Sequence, residues 1–318
     1  MNGVFKQSPE DFEVEELPAY LPSGEAGAEH LFLWVEKRGV STPDAAKRLC
    51  RALGLKERDI SWAGLKDKQA VTRQFFCISS KVDVSAFSDP DVRILEAKRH
   101  RNKLKNGHLR GNRFKLVVRQ VADAAAFRAA FDRLVAEGVP NFFGEQRFGS
   151  RNAEVGKKLL LEGGRLPRFE RKLMLSAYQS LLFNRALERR IAAGTLSTAL
   201  KGDVLKKHET GGEFVCAEPA VDQPRVAAFE VSPTGPMFGP EMRRAEGDVG
   251  AAEQALLDEE GITLKTFEAG GDETRGTRRL FRVQLGEPSL SIEGDVARLA
   301  FSLPSGSYAT VVLDVLTR

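Results

Sequence analysis

Cysteine is scarce: Cys50, Cys77 and Cys216 are few, odd in number and far apart among 318 residues, which argues against a disulfide framework. The four histidines, His30, His100, His108 and His208, stand apart. With no C-x-x-C or H-x-x-x-H spacing either, no metal site is expected. No apolar run approaches the roughly 20 residues of a membrane span; Leu31–Val35 is only strand-sized, and no membrane association is expected. The opening residues run into Pro9-Glu10-Asp11 without a secretory apolar stretch, so the expected location is cytoplasmic. G-x-G-x-x-G and G-x-S-x-G are both missing, and Gly156-Lys157-Lys158 lacks the glycine and hydroxyl of a P-loop. The simple signals for nucleotide cofactors and serine hydrolases are therefore absent.

What is present is a chain long enough for two domains or one domain with a large insertion, and a segregation of charge. The net charge is only +4, yet Arg93–Arg119 holds ten basic residues and a single acid, Glu96. The first 29 residues are acid-rich by contrast. A basic run is often a solvated loop. This one is punctuated by Gly107 and Gly111 and feeds into Phe114–Val118, so Arg99, Arg101, Lys103 and Arg110 are candidates for tracking a phosphate backbone.

Alternation of apolar and acidic residues predicts a strand over Phe12–Glu15, and apolar runs predict others over Leu31–Val35, Ile60–Ala63, Gln74–Ile78, Val92–Leu95, Phe114–Val118 and Val296–Leu303. Ser41 as a cap, with Pro43 at the first helical position and Gly54 as the stop, predicts a helix whose core stripe includes Cys50. Further helices are predicted near 124–136, 153–161, 171–192 and 251–259 and at the C-terminus, with a Gly- and Pro-rich stretch from Leu200 to Glu246. A sheet-rich front, a helical middle and a β/α tail suggest an insertion, the tail rejoining the front.

Within Gly64-Leu65-Lys66-Asp67-Lys68, an extended backbone would turn Lys66 and Lys68 away from Asp67. The carboxylate could then enter a pocket while both ammoniums meet phosphates. The same residues also make an ordinary hairpin turn. Phe12 and Phe114 are core residues by default and base-stacking rings if they border a basic edge. The loop Asn141–Phe148, with Phe142, Phe143, Gln146 and Arg147, reads as a structural tie whose amide and guanidinium groups join neighbouring elements.

Taken together, Ala63–Thr72 resembles the hallmark of the TruD family of tRNA pseudouridine synthases. Ser8–Glu16 is similar to that family's opening strand, Gly111-Asn112-Arg113-Phe114 to its Gly-Asn-x-Phe motif, and Val139–Gly149 to its Asn-x-Phe-Gly-x-Gln-Arg-Phe-Gly signature. Ser176–Asn184 resembles a helix of its inserted domain, and Leu303–Thr310 its C-terminal motif, with Tyr308 where relatives often carry Phe. The resemblance implies an α+β fold: a pseudouridine-synthase catalytic core of mixed, mainly antiparallel sheet with flanking helices (1–149 and 284–318), interrupted by a TruD-specific α/β domain (150–283). It implies Asp67 as the catalytic aspartate with Lys6 beside it, and Phe12, Asn112, Phe114 and Tyr308 around the uridine.

The implied reaction breaks the C1′–N1 bond of uridine, turns the uracil and rejoins it through C5, with no oxidation and no hydrolysis, so no cofactor and no metal is expected. The implied partner is tRNA, modified in the D-arm at position 13 by a monomer. Two other readings stay open: an RNA-binding protein that keeps the fold without turnover, and a metal-dependent nuclease, for which no acid cluster is evident.

Overall fold

A computed structural model describes residues 3–317, apart from the side chain of Gln146. Its strands are β1 (Val4–Phe5), β2 (Phe12–Pro18), β3 (His30–Arg38), β4 (Ser61–Trp62), β5 (Val71–Ser79), β6 (Val92–His100), β7 (Leu109–Arg119), β8 (Val139–Pro140), β9 (Val204–Lys207), β10 (Glu213–Val215), β11 (Val231–Met237), β12 (Thr277–Leu280), β13 (Arg282–Val283), β14 (Gly286–Glu293) and β15 (Val296–Pro304). The helices are α1 (Thr42–Leu53), α2 (Ala124–Glu137), α3 (Asn152–Glu162), α4 (Arg168–Ala192), α5 (Pro219–Ala227), α6 (Gly247–Glu260) and α7 (Ala309–Thr317). The chain divides into two compact units: residues up to 132 with 285–306 and those from 315, and residues 133–284 with 307–314.

The first unit is built on one mixed sheet, in the order β14-β15-β7-β2-β5-β3-β6, with β1 on β7 and β4 on β5. Every pairing is antiparallel except β2 with β5. Strand alternation sends Leu31, Leu33, Val35, Phe76 and Ile78 to one face, where α1 covers them with Ala45, Ala46, Leu49 and Cys50. The helix starts at Thr42, one residue before the expected Pro43. Ser41 Oγ accepts the Asp44 N–H at 3.2 Å, and Gly54 closes the helix in the left-handed region (φ 66°).

The same sheet face carries Phe12 and Val14 of β2, Asn112, Phe114 and Leu116 of β7, and Phe301 and Leu303 of β15, since these residues are register partners. The opposite face has an aromatic patch around Phe32, Phe75 and Tyr20 and a lattice of opposite charges. There Arg73 bonds Glu36 at 2.8 Å, and Arg113 bonds Glu287 at 2.8 Å and faces Glu15 at 3.6 Å.

Several elements outrun their sequence signals. β6 and β7 extend through much of the basic run, so that run is strand for most of its length. The strand expected at 60–63 shrinks to two residues. Helix α5 appears in the Gly- and Pro-rich stretch because Pro219 sits in the first turn, where no N–H partner is needed.

In the second unit α4 is surrounded by α3, α6 and the segment 264–274, with Tyr178, Phe183, Phe238 and Phe267 in the core. Its sheet runs β10-β9-β11-β12, and β8 pairs separately with β13. The loop 141–148 is tied down here. Asn184 holds both backbone groups of Phe143 at 3.0 Å, Arg279 donates to Asn141 Oδ1 at 2.6 Å and lies 4.0 Å over the Phe143 ring, and Arg147 bonds Ser176 and Ser180.

All three cysteines are free and buried. Burial pushes the Cys50 and Cys77 thiols up, and burial with Asp222 alongside raises Cys216 to about 11. A colorimetric thiol reagent at about pH 8 should therefore find no reactive cysteine in the native protein and all three after denaturation. Rapid labelling of native protein would contradict the core assignment.

Candidate active site

Asp67 lies in the connection from β4 to β5, and buried side chains hold that connection from beneath. Thr42 Oγ1 accepts the Lys66 N–H at 2.9 Å and donates to Gln74 Oε1 at 2.8 Å; Gln74 Nε2 in turn donates to the Gly64 carbonyl at 2.9 Å. Lys66 Nζ donates to Glu16 Oε2 at 2.7 Å, and the Phe75 N–H to Glu16 Oε1 at 3.3 Å. Lys37 Nζ donates to the Asp67 carbonyl at 2.9 Å. The backbone is thus fixed before any ligand arrives, while Leu65 stands outward, 70% exposed.

The Asp67 carboxylate is 36% exposed and meets Lys6 Nζ at 3.3 Å. Lys6 has φ 59°, a left-handed backbone uncommon for a side chain of its size. Its ammonium also lies 4.0 Å over the Phe12 ring. Phe12 meets Phe114 edge-on at 6.2 Å, and Phe114 lies against Phe301 at 5.5 Å. Asn112, two residues from Phe114 on the same face, is the register partner of Glu16, the residue that holds Lys66. Asn112 Oδ1 is buried and has no hydrogen-bond partner among the described residues. An unmet buried acceptor is costly, and Thr72 Oγ1 and His100 Nε2 share that state.

Gly111 makes this corner possible. A Cβ there would stand 2.1 Å from the Leu303 carbonyl oxygen of β15, so only glycine lets that strand pass beside Asn112.

The structure therefore gathers Asp67, Lys6, Phe12, Asn112 and Phe114. Tyr308 belongs to the second unit, where its ring packs on Gly144. Lys66 departs from expectation: it does not reach outward toward phosphates, because its ammonium is buried on Glu16. Lys68 is exposed, as are Arg99, Lys103 and Arg110, and among the described residues these have no acid partner. Arg101 is exposed but bonds Glu25, and Arg93, Arg113 and Arg119 are paired with Glu36, Glu287 and Asp11. The basic run is thus less positive than its composition suggests.

His100 and His108, isolated in sequence, converge on Tyr20. Its hydroxyl is 2.7 Å from His108 Nδ1, and its ring stacks on His100 at 5.0 Å.

Sequence reasoning missed Glu16, Lys37, Thr42 and Gln74, the supports beneath the loop. The available signal was strand alternation, which continues the inward series Leu31, Leu33, Val35 to Lys37.

As chemistry, the arrangement offers one carboxylate steadied by one ammonium, walls of aromatic ring, and a nearby buried amide oxygen. A carboxylate so placed can attack an electron-poor carbon or remove a proton.

The family model described as tRNA pseudouridine synthase D (TruD) matches residues 1–165 and 163–314. The chain belongs to this family. Among curated relatives, a tRNA pseudouridine synthase D from Anaeromyxobacter dehalogenans (strain 2CP-C) is 53% identical over 327 residues, covering 99% of this chain and 93% of that protein. One from Thermus thermophilus is 41% identical over 320 residues, covering 98% and 88%. A solved crystal structure from Methanosarcina mazei that carries the same family name has a TM-score of 0.81 at 26% identity, over 99% of this chain and 93% of that one. The mixed α+β fold with a mainly antiparallel sheet and flanking helices is that of the family.

Proposed function

We propose that this protein isomerises uridine to pseudouridine in the D-arm of tRNA, at position 13, with Asp67 as its single reacting carboxylate. The observation that carries the reading is the Asp67–Lys6 pair at 3.3 Å beside the Phe12 and Phe114 rings. Family membership supports the reaction class.

In the proposed reaction the C1′–N1 bond breaks, C1′–C5 forms, and the proton on C5 leaves as N1 gains one. Three openings use the same carboxylate: attack at C1′, addition at C6, or removal of the C2′ proton. A ring wall lets the detached uracil turn without leaving, and the Asn112 oxygen suits the uracil N3–H. The target nucleotide has to leave its stack, at a cost of a few kcal/mol that backbone contacts offset. The reaction needs neither metal nor redox partner. The proposal includes a cytoplasmic monomer.

The test is incubation with tRNA transcripts in EDTA. Pseudouridine should form with U13 present and be absent when U13 is replaced by C. Bound but unchanged RNA would mark a binding protein, and metal-dependent cleavage a nuclease.

Charge supplies a second expectation. Replacing Arg99, Lys103 and Arg110 together by Ala should weaken tRNA binding and reduce the slope of log K against log salt by about 2. The same change at Arg93 and Arg113, already paired with acids, should leave the slope nearly unaltered. Filter binding across a salt series reads both, and an unmoved slope for the first triple would remove this edge from the RNA path.

A further inference from the structure

Lys37 is 0% exposed, a rare state for an ammonium group. It continues the inward series of β3 after Leu31, Leu33 and Val35, a position an apolar side chain would fill without desolvating a charge. Among the described residues no carboxylate pairs with it. Its amino group is spent instead on two peptide carbonyls, Val40 at 2.6 Å and Asp67 at 2.9 Å. The first lies just before α1 and the second is the backbone of the reacting residue.

We propose that Lys37 is a positioning residue for Asp67: its buried amino group fixes the Asp67 carbonyl and thereby the direction in which the carboxylate leaves the loop. The inference rests on Asp67 being the reacting group. Of the buried supports under the loop, Glu16, Thr42 and Gln74 grip Lys66 and Gly64; Lys37 grips Asp67 itself. The neighbouring groups do not duplicate it. Thr72 and Val92 stand opposite on β5 and β6, both uncharged, and the Thr72 hydroxyl is buried without a partner among the described residues. The charged groups facing it are Asp67 and Lys66. Burial pushes the Lys37 ammonium down to about 8, with Asp67 pulling it up and Lys66 pressing it down. Charged or neutral, the amino group keeps enough N–H donors for both carbonyls, so the clamp does not depend on its protonation.

The experiment compares Lys37→Met and Lys37→Ala with the unaltered protein by single-turnover pseudouridine formation, tRNA binding and thermal melting. Met fills the volume without a donor, so the variant should fold and bind tRNA with a Kd within about threefold, while the rate falls on the order of 10²-fold, the scale of a small misplacement at a reacting centre. Lys37→Ala should lose as much, and added n-propylamine, which replaces the missing atoms, should recover about tenfold or more where propionitrile, of the same size but without a donor, does not. A Lys37→Met rate within about threefold of the unaltered protein, or a rate loss matched by equal losses of melting temperature and tRNA affinity, would overturn the proposal. If Lys37→Met does not fold, the amine recovery of Lys37→Ala decides, and its failure also overturns it. Asp67→Asn run alongside keeps the two ideas apart: product from that variant sinks the reading of Asp67, whereas an inactive Asp67→Asn with an active Lys37→Met sinks only the role of Lys37.

Discussion

Asp67→Asn should make no pseudouridine above background, a loss on the order of 10⁴-fold or more, equivalent to about 5.4 kcal/mol of barrier. The substitution is nearly isosteric. It leaves the Asp67 carbonyl in the grip of Lys37 and removes only the negative charge that faces Lys6 at 3.3 Å. Binding of tRNA should change by less than about threefold, because the contacts expected to carry affinity are to phosphates elsewhere. Asp67→Glu keeps the charge but displaces it by a methylene, and should retain activity reduced on the order of 10²-fold. Thin-layer analysis of nucleotides from treated tRNA reads both. Product from Asp67→Asn would end the assignment, and equal activities for the two variants would show that charge at this point is not what the reaction uses.

Lys66→Met should unfold the protein at markedly lower urea, with a cost of about 3–5 kcal/mol. Lys66 and Glu16 are both buried and 2.7 Å apart. Removing one partner strands a carboxylate where water does not reach it, bonded among the described residues to the Phe75 N–H alone. Adding Glu16→Leu should recover most of the loss, since an apolar pair in place of a buried ion pair is often neutral. If Lys66 instead met phosphate, as its place in the motif suggests, Lys66→Met would leave stability alone and flatten the salt dependence of tRNA binding. Urea denaturation and a salt series on the same variant separate the two roles.

These two neighbours show where sequence reasoning reaches and where it stops. Asp67 stood out as a candidate because glycine, lysine and aspartate in that order, followed by the Gly-Asn-x-Phe and Asn-x-Phe-Gly segments, resemble a family pattern. Ser41, Pro43 and Gly54 were legible because caps act through their own few residues. Lys66 and Lys68 have the same chemistry and lie one residue either side of Asp67. One is buried and one exposed because Glu16, fifty residues earlier, lies beneath only the first. Lys37 sits within Glu36-Lys37-Arg38, where strand alternation turns it inward but does not show which groups meet it there. The basic run reads as a strong positive field until β3, β2 and β14 bring Glu36, Glu15 and Glu287 against Arg93 and Arg113.

Local residues determined the caps, the alternation of the strands and the place of Cys50 in the core, because each of these is specified within a short stretch of chain. Tertiary structure alone decided which cations remain available to a polyanion, why position 111 has no room for a side chain, and what holds the Asp67 backbone. Each of these turns on a group brought from a distant part of the chain, such as Glu16 under Lys66 or the Leu303 carbonyl against Gly111. Burial changes the cost of a charge by several kcal/mol, and pairing between distant strands is what sets burial.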